Sequence, residues 1–141
     1  MTGFLLDTNC VSELVRREPH PRVMEWIEAT EEMLLYLSVL TLGEIRKGLG
    51  TLPPGKRRTR LETWLEVELR ARFSGRLLPI DGEVALRWGL LAAQAKREGK
   101  PLGIIDGLLA ATALHHNLTM VTRNIGDFAV AQLTALNPWE S

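Results

Sequence analysis

Four acidic side chains stand where predicted strands give way to helical or turn-like sequence: Asp7, Glu44, Asp106 and Asp127. Asp7 and Asp127 follow predicted strands, whereas Glu44 and Asp106 are predicted in the first turns of helices. In a parallel sheet, the carboxyl ends of strands and the amino ends of the next helices share one edge. Carboxylates crowded at one edge repel one another, and Mg²⁺ relieves that repulsion because it prefers oxygen ligands. Such ions orient an attacking water and stabilise the leaving oxygen of a phosphodiester.

Each of these acids also has an ordinary structural explanation. Asp7 is well placed to cap a helix. Thr41 and Glu44 have the spacing of a capping box. Asp106 suits the positive end of a helix dipole, and Asp127 suits a turn. The residue pattern by itself therefore leaves two alternatives, an acidic cation site or four separate structural acids.

The elements that would position these acids alternate between short apolar runs and longer helical segments. Helices are predicted from just after Asp7 to about residue 17, over 23–30, 41–52, 56–75 and 82–98, and from about 104 to 116. Strands are predicted at 4–6, 34–39, 77–80 and 119–122, with a last extended piece near 136–139. Pro79 weakens the third strand. Strands separated by long helical segments indicate one α/β domain, residues 1–141, whose parallel sheet carries helices on its faces.

The bulk composition limits the classes of function. The 141 residues include 17 Lys and Arg against 17 Asp and Glu, so the formal net charge is zero. A protein that holds nucleic acid mainly by bulk charge is usually basic, so such a role requires a local site here. The single cysteine, Cys10, is expected to be a packed thiol in a reducing compartment. With neither a secretory signal nor a membrane-spanning run predicted, we expect a cytoplasmic protein without membrane partners.

Four segments, taken together, resemble the motifs of the PIN domain family in order and approximate spacing. The segments are Leu6-Asp7-Thr8-Asn9 with Ser12-Glu13-Leu14, Thr41-x-x-Glu44-Ile45-x-x-Gly48, Ile105-Asp106-x-x-Leu109-Ala110-Ala111-Thr112 and Val121-Thr122-Arg123-Asn124-x-x-Asp127-Phe128. The resemblance covers essentially the whole chain, down to Asn137-Pro138-Trp139. Within the family it is strongest to VapC-type toxins of bacterial toxin–antitoxin pairs, in the FitB-like branch.

This resemblance implies an α/β/α sandwich with a central parallel sheet of four to five strands and an endoribonuclease activity that uses Mg²⁺ or Mn²⁺. The implied catalytic and metal-binding acids are Asp7, Glu44, Asp106 and Asp127. Supporting hydrogen bonds are implied for Asn9, Thr122 and Asn124. Some relatives carry Asp where this chain has Asn124, and that departure puts a second tightly bound metal in doubt.

The resemblance also implies partners. They are an RNA substrate, a cognate VapB-type antitoxin, a second copy of the chain in a homodimer, and promoter DNA reached only through the antitoxin. Arg46 and Arg123 lie near the motif acids in sequence and are candidate RNA contacts. The basic run 56–60 is a solvated helix start or a second RNA-contacting patch. A candidate antitoxin groove is the apolar stripe of Leu49, Leu52, Leu61 and Trp64.

Two other functions stay open at this point. The domain could be a PIN-type nuclease of RNA processing outside toxin–antitoxin systems. It could also be a non-catalytic regulator that binds an antitoxin and keeps its acids for folding. Acids at all four motif positions favour the enzyme, and the short chain without appended nucleic-acid modules favours the toxin.

Overall fold

Five parallel strands form the centre of the molecule. The computed structural model describes residues 2–140, except for the side chains of residues 130 and 131. The strands are β1 (Phe4–Leu6), β2 (Leu35–Ser38), β3 (Leu77–Leu78), β4 (Thr119–Val121) and β5 (Ala135–Leu136). They are hydrogen-bonded in the order β3-β2-β1-β4-β5, and every pairing is parallel. The predicted α/β class and the parallel sheet of four to five strands are confirmed.

The helices connect and cover these strands. They are α1 (Thr8–Ser12, continued as a 3₁₀ turn over Glu13–Val15), α2 (Pro21–Ala29), α3 (Val39–Gly50), α4 (residues 56–72, π-helical over Trp64–Leu69), α5 (Gly82–Arg97) and α6 (Ile104–His115). Further 3₁₀ segments lie at Glu32–Leu34 and Ile125–Ala131. Every predicted helix is present, with ends that differ by up to five residues. Within residues 2–140, none of the helices has the length and apolar character needed to cross a bilayer.

The two faces of the sheet bury separate apolar clusters. Adjacent residues of a strand point to opposite faces, and Leu6 accordingly packs into the cluster under α1 to α4, whereas Leu5 packs into the cluster under α5 and α6. Both side chains are fully buried. Burial on both faces explains why the strands are continuous apolar runs without polar alternation.

The junction between β2 and α3 corrects one predicted boundary. The helix begins at Val39, two residues before the predicted start, because Ser38 Oγ caps it by accepting a hydrogen bond from Leu40 N at 3.0 Å. Thr41 is therefore inside the helix, and the capping box proposed for Thr41 and Glu44 is wrong. Glu44 lies in the second turn instead, so its carboxylate is free for another partner.

Arg76 joins three segments on the β3 side of the sheet. Its side chain is 8% exposed, and its Nη1 donates to Glu32 O at 2.6 Å and to Leu35 O at 2.7 Å. Its Nη2 donates to the Glu32 carboxylate and to Arg72 O, and the guanidinium lies 4.9 Å from the centroid of the Phe73 ring. Hydrogen bonds from Arg72 and Arg76 hold the pKa of Glu32 below its ordinary value.

Candidate active site

Asp7 occupies the junction between the central strand β1 and helix α1. Its Oδ1 accepts a hydrogen bond from Thr8 N at 2.7 Å, and its Oδ2 accepts one from Thr122 Oγ1 at 2.7 Å. The backbone N–H of Asp7 donates to Val121 O at 2.9 Å. Asp7 thus caps the helix as the structural alternative predicted. It is also held against the end of β4, so the cap and the site are compatible.

Thr122 links Asp7 to the segment that follows β4. Its fully buried hydroxyl donates to Asp7 Oδ2 and accepts a hydrogen bond from Asn124 N at 3.0 Å. The support predicted for Thr122 is thus visible as direct contacts. The contact from Asn124 is made by its backbone N–H rather than by its side chain.

Asn9 presents an unpaired amide oxygen beside Asp7. Its Nδ2 lies 3.5 Å from Asp7 Oδ2, at the outer limit of a hydrogen bond. Its Oδ1 is buried without a hydrogen-bond partner among the residues that the structure describes. Burying an acceptor without a hydrogen-bond partner costs free energy. A cation, or a water molecule bound to a cation, would provide the partner that Asn9 Oδ1 lacks.

Glu44 accepts a hydrogen bond from the hydroxyl of Thr8, a residue to which the sequence analysis gave no role in the site. Thr8 Oγ1 lies 2.6 Å from Glu44 Oε1 and 3.2 Å from Thr41 Oγ1. A hydroxyl donates one proton, and the shorter contact assigns the Thr8 proton to Glu44. Thr41 lies one helical turn before Glu44, and the sequence analysis interpreted that spacing as a capping box. In the structure the Thr41 hydroxyl contacts the Thr8 hydroxyl instead.

Asp7, Glu44, Asp106 and Asp127 lie near enough for their negative charges to affect the pKa values of Asp7 and Asp106. We call these four residues the acid cluster. Burial raises the pKa of Asp106, and the negative charges of Asp7, Asp127 and Glu44 raise it further. Burial also raises the pKa of Asp7, with smaller contributions from Glu44 and Asp127; hydrogen bonds from Thr122 and Thr8 offset only part of that rise. The four predicted acids are therefore near enough to affect one another's charge, and their joint role as a cation site stays a prediction.

The donors of the acid cluster suit a hard divalent cation. All are oxygen atoms, and their mutual repulsion would be relieved by positive charge. Within residues 2–140, no group of three or more acidic, histidine or cysteine side chains is arranged so that it could hold a metal ion. An ion bound by fewer side chains would have to complete its coordination with water or substrate oxygens, which Mg²⁺ commonly does.

The two arginines predicted to contact RNA are each paired with an acid. Arg46 Nη1 forms an ion pair with Glu62 at 2.5 Å. Arg123 Nη2 lies 3.6 Å from the Glu13 carboxylate, and its guanidinium lies 4.5 Å from the centroid of the Trp139 ring. Both arginine side chains are 48% exposed, so they remain open to solvent at defined positions.

The apolar stripe predicted as an antitoxin groove is only partly available. Leu49 and Leu61 are buried in the core cluster under α1 to α4, whereas Leu52 and Trp64 are partly buried against it. The accessible part of the stripe is therefore Leu52 and Trp64. The surface is smaller than the four-residue pattern indicated.

The shared hydroxyl of Thr122 gives a direct test of the site's construction. Thr122→Val keeps the side-chain shape but removes the hydroxyl that donates to Asp7 Oδ2 and accepts from Asn124 N. We expect it to lower the free energy of unfolding by about 1–3 kcal/mol, measured by urea denaturation. Thr122→Ser keeps the hydroxyl and should recover most of the loss.

Thr112→Val is the matched control. Thr112 is also fully buried, but its hydroxyl donates only to Leu108 O in its own helix, a bond that contributes little to helix stability. An equal loss of stability in the two valine variants would contradict the special role of the Thr122 hydroxyl.

Comparison with known proteins matches residues 4–132 to the PIN domain model. The chain is 44% identical over 137 residues to the VapC ribonuclease Y4jK of Sinorhizobium fredii, covering 97% of this chain and 98% of that protein. It is 40% identical over 136 residues to toxin FitB of Neisseria gonorrhoeae, covering 96% and 98% respectively. The solved structure of FitAcB from Neisseria gonorrhoeae superimposes with a TM-score of 0.93 at 39% identity, covering 98% of this chain and 99% of that one. The matched motifs, the sheet and these relatives lead to one assignment: the chain belongs to the PIN domain family.

Proposed function

We propose that this protein is a metal-dependent endoribonuclease that acts as the toxin of a toxin–antitoxin pair and hydrolyses RNA phosphodiester bonds. The observation that carries the proposal is the acid cluster, four carboxylates gathered at the carboxyl edge of a parallel sheet. The extensive identity with a VapC ribonuclease and with toxin FitB supports it. The domain is taken to span residues 1–141, because β5 extends the sheet beyond the matched residues 4–132.

In this proposal the acid cluster holds Mg²⁺ or Mn²⁺. When bound, the ion supplies the positive charge and Lewis acidity that phosphodiester hydrolysis requires. Asp7 is kept in place by Thr122, and Glu44 is kept in place by Thr8. Asn9 lies beside Asp7 through its amide nitrogen, and the Asn124 N–H donates to the Thr122 hydroxyl.

The proposed reaction is the hydrolysis of one RNA phosphodiester bond by one water molecule. A water oriented by the carboxylates attacks the phosphorus in line with the 3′ oxygen, and its proton passes to a carboxylate of the acid cluster. A bond from water oxygen to phosphorus forms and the bond from phosphorus to the 3′ oxygen breaks. That oxygen takes up a proton from solvent, and the carboxylate afterwards releases the proton that it accepted, so protons balance. The products carry a 5′ phosphate and a 3′ hydroxyl. Arg46 and Arg123 are the proposed cationic contacts to the RNA backbone.

The proposed partners follow from the similarity of this chain to its solved relatives. Solved relatives are described as FitAB bound to an IR36 DNA fragment and as FitAcB. We therefore expect a VapB-type antitoxin to bind this chain, with the accessible part of the apolar stripe, Leu52 and Trp64, in its groove. We also expect homodimers, a cytoplasmic location, and contact with promoter DNA only through the antitoxin.

The proposal is tested by incubating the purified chain, freed of antitoxin, with a mixed RNA pool that includes structured transfer RNA. Cleavage is expected with Mg²⁺ or Mn²⁺ and is expected to stop with EDTA. The cleaved ends should accept a label that requires a 3′ hydroxyl. A folded protein that cuts no RNA in either metal would favour the non-catalytic regulator.

A further inference from the structure

A cleft of about 330 Å³ lies between the end of the α1 segment and α4. Three arginines line it, Arg17, Arg57 and Arg60. In the part of the chain that the structure describes, none of these three is in an ion pair, whereas the arginines at 16, 46, 58, 72, 76 and 123 all are. In a chain with zero net charge, the cleft is thus a local excess of positive charge.

The floor of the cleft is apolar and includes an aromatic ring. Val15, Leu61 and Trp64 line it beneath the arginines. Trp64 is half-buried and packs against the core, so its ring is held in place at the surface. A fixed aromatic ring among cations is the combination that binds single-stranded nucleic acid, because bases stack on the ring while arginines contact phosphates.

The cleft is connected to the acid cluster by a short, continuous piece of helix. Asp7 is followed by five α-helical residues and three 3₁₀ residues, the last of which is the cleft residue Val15, and this segment rises about 14 Å along its axis. Between the two ends, the buried carboxylate of Glu13 holds Arg16 at 2.8 Å and Arg123 at 3.6 Å. Arg123, from the segment after β4, and Arg16, next to the cleft residue Arg17, therefore meet at one carboxylate.

We propose that this arginine cleft, formed by Arg17, Arg57 and Arg60 around Trp64, binds single-stranded RNA a few nucleotides from the phosphodiester that is cleaved. The arginines contact phosphates and the Trp64 ring stacks on a base. This inference rests on the proposed ribonuclease function and adds a substrate-binding site outside the acid cluster. It assigns RNA to a surface whose apolar floor overlaps the predicted antitoxin groove at Leu61 and Trp64.

The charge of one residue in the lining, Glu68, is unfavourable for RNA and provides a test that distinguishes RNA from a protein ligand. Among the described residues that line the cleft, Glu68 carries the one carboxylate, so it repels phosphate. Glu68→Gln is therefore expected to strengthen RNA binding. A protein segment that uses the cleft through a basic side chain would lose affinity from the same substitution, so the direction of the change distinguishes the two ligands.

The experiment measures binding of a fluorescein-labelled, mixed-sequence RNA of 12 nucleotides to the full chain in EDTA, by fluorescence anisotropy. The test variant is Arg57→Gln with Arg60→Gln. The matched control is Arg87→Gln with Arg97→Gln, which removes the same charge from two exposed arginines of α5. Losing two phosphate contacts should weaken binding about tenfold at 0.2 M salt and reduce the salt-dependence slope by about 1.4. The control pair should bind like the wild type.

Binding in EDTA does not depend on cleavage, so this result is independent of the proposed catalytic function. With metal present, the cleft pair should raise KM for long RNA and leave kcat unchanged. If the wild-type chain bound the RNA but never cleaved it, the proposed ribonuclease function would be wrong and the proposed RNA-binding cleft would stand. Equal binding by the cleft and control pairs, or no binding by the wild type, would overturn the cleft proposal and favour a protein segment as its occupant.

Discussion

Asp106→Asn is expected to reduce metal-dependent RNA cleavage by about a thousandfold or more while the protein stays folded. The substitution keeps the shape of the side chain but removes one charge from the proposed cation site, which is equivalent to losing about 4 kcal/mol of transition-state stabilisation. Asp106 is half-buried in the first turn of α6 and its negative charge is opposed by three neighbouring acids. Removing that charge should therefore leave the free energy of unfolding unchanged or slightly higher.

The measurement compares initial cleavage rates with thermal unfolding of the same samples. Glu98→Gln is the matched control, because Glu98 is an exposed acid at the end of α5 and its loss should change neither quantity. If Asp106→Asn cleaved RNA at a rate near that of the wild type, the assignment of the acid cluster as the catalytic centre would be wrong.

Arg76→Ala is expected to lower the free energy of unfolding by about 3 kcal/mol. The truncation leaves the buried carbonyls of Glu32 and Leu35 without their guanidinium donor and removes the cation above the Phe73 ring. Breaking a buried, hydrogen-bonded charge is costly because its partners lose their compensation. Arg76→Lys should recover only part of the loss, since an ammonium group cannot reproduce the planar fork of the guanidinium.

The control for Arg76 is its neighbour Arg72. Arg72 binds the same Glu32 carboxylate, but its side chain is 36% exposed, so Arg72→Ala should cost less than about 1 kcal/mol. Urea denaturation at neutral pH measures both. The pKa of Glu32 in the folded protein lies below its ordinary 4.5. Ionised Glu32 therefore adds to the free energy of unfolding above pH 4.5, and this addition is lost as the pH falls through the lowered pKa. Equal effects of the two alanine substitutions would mean that the buried contacts of Arg76 contribute nothing.

The parts of this protein that sequence predicts well are those governed by local pattern. Apolar runs such as Phe4-Leu5-Leu6 have no polar alternation, and burial on both sheet faces produces that pattern. The third strand, predicted over 77–80 and weakened by Pro79, is present but ends at Leu78, directly before the proline. The acids could be assigned to one edge because the geometry of a parallel sheet brings strand ends together wherever they lie in the chain.

The parts that sequence missed depend on contacts between distant segments. Arg76 resembles any charged residue after a helix, and only the folded chain places its guanidinium against Glu32, 44 residues earlier. Thr8 was passed over because its partner Glu44 lies on another helix. The start of α3 was misplaced because Ser38 ends a strand and caps a helix at once, which no periodicity indicates. Likewise, Arg17 and Arg57 meet in one cleft only after α1 and α4 have packed.

The separation of 115 residues between Asp7 and Thr122 has a consequence for how the protein is made. While the chain is still emerging from the ribosome, Asp7, Glu44 and Asp106 exist without β4, and one side of the central strand has no neighbour. The last acid, Asp127, also emerges late. A nascent ribonuclease of this design is therefore expected to stay inert beside the ribosomal and messenger RNA that surround it. It is expected to gain activity only after β4 and Asp127 have been synthesised and β4 has paired with β1.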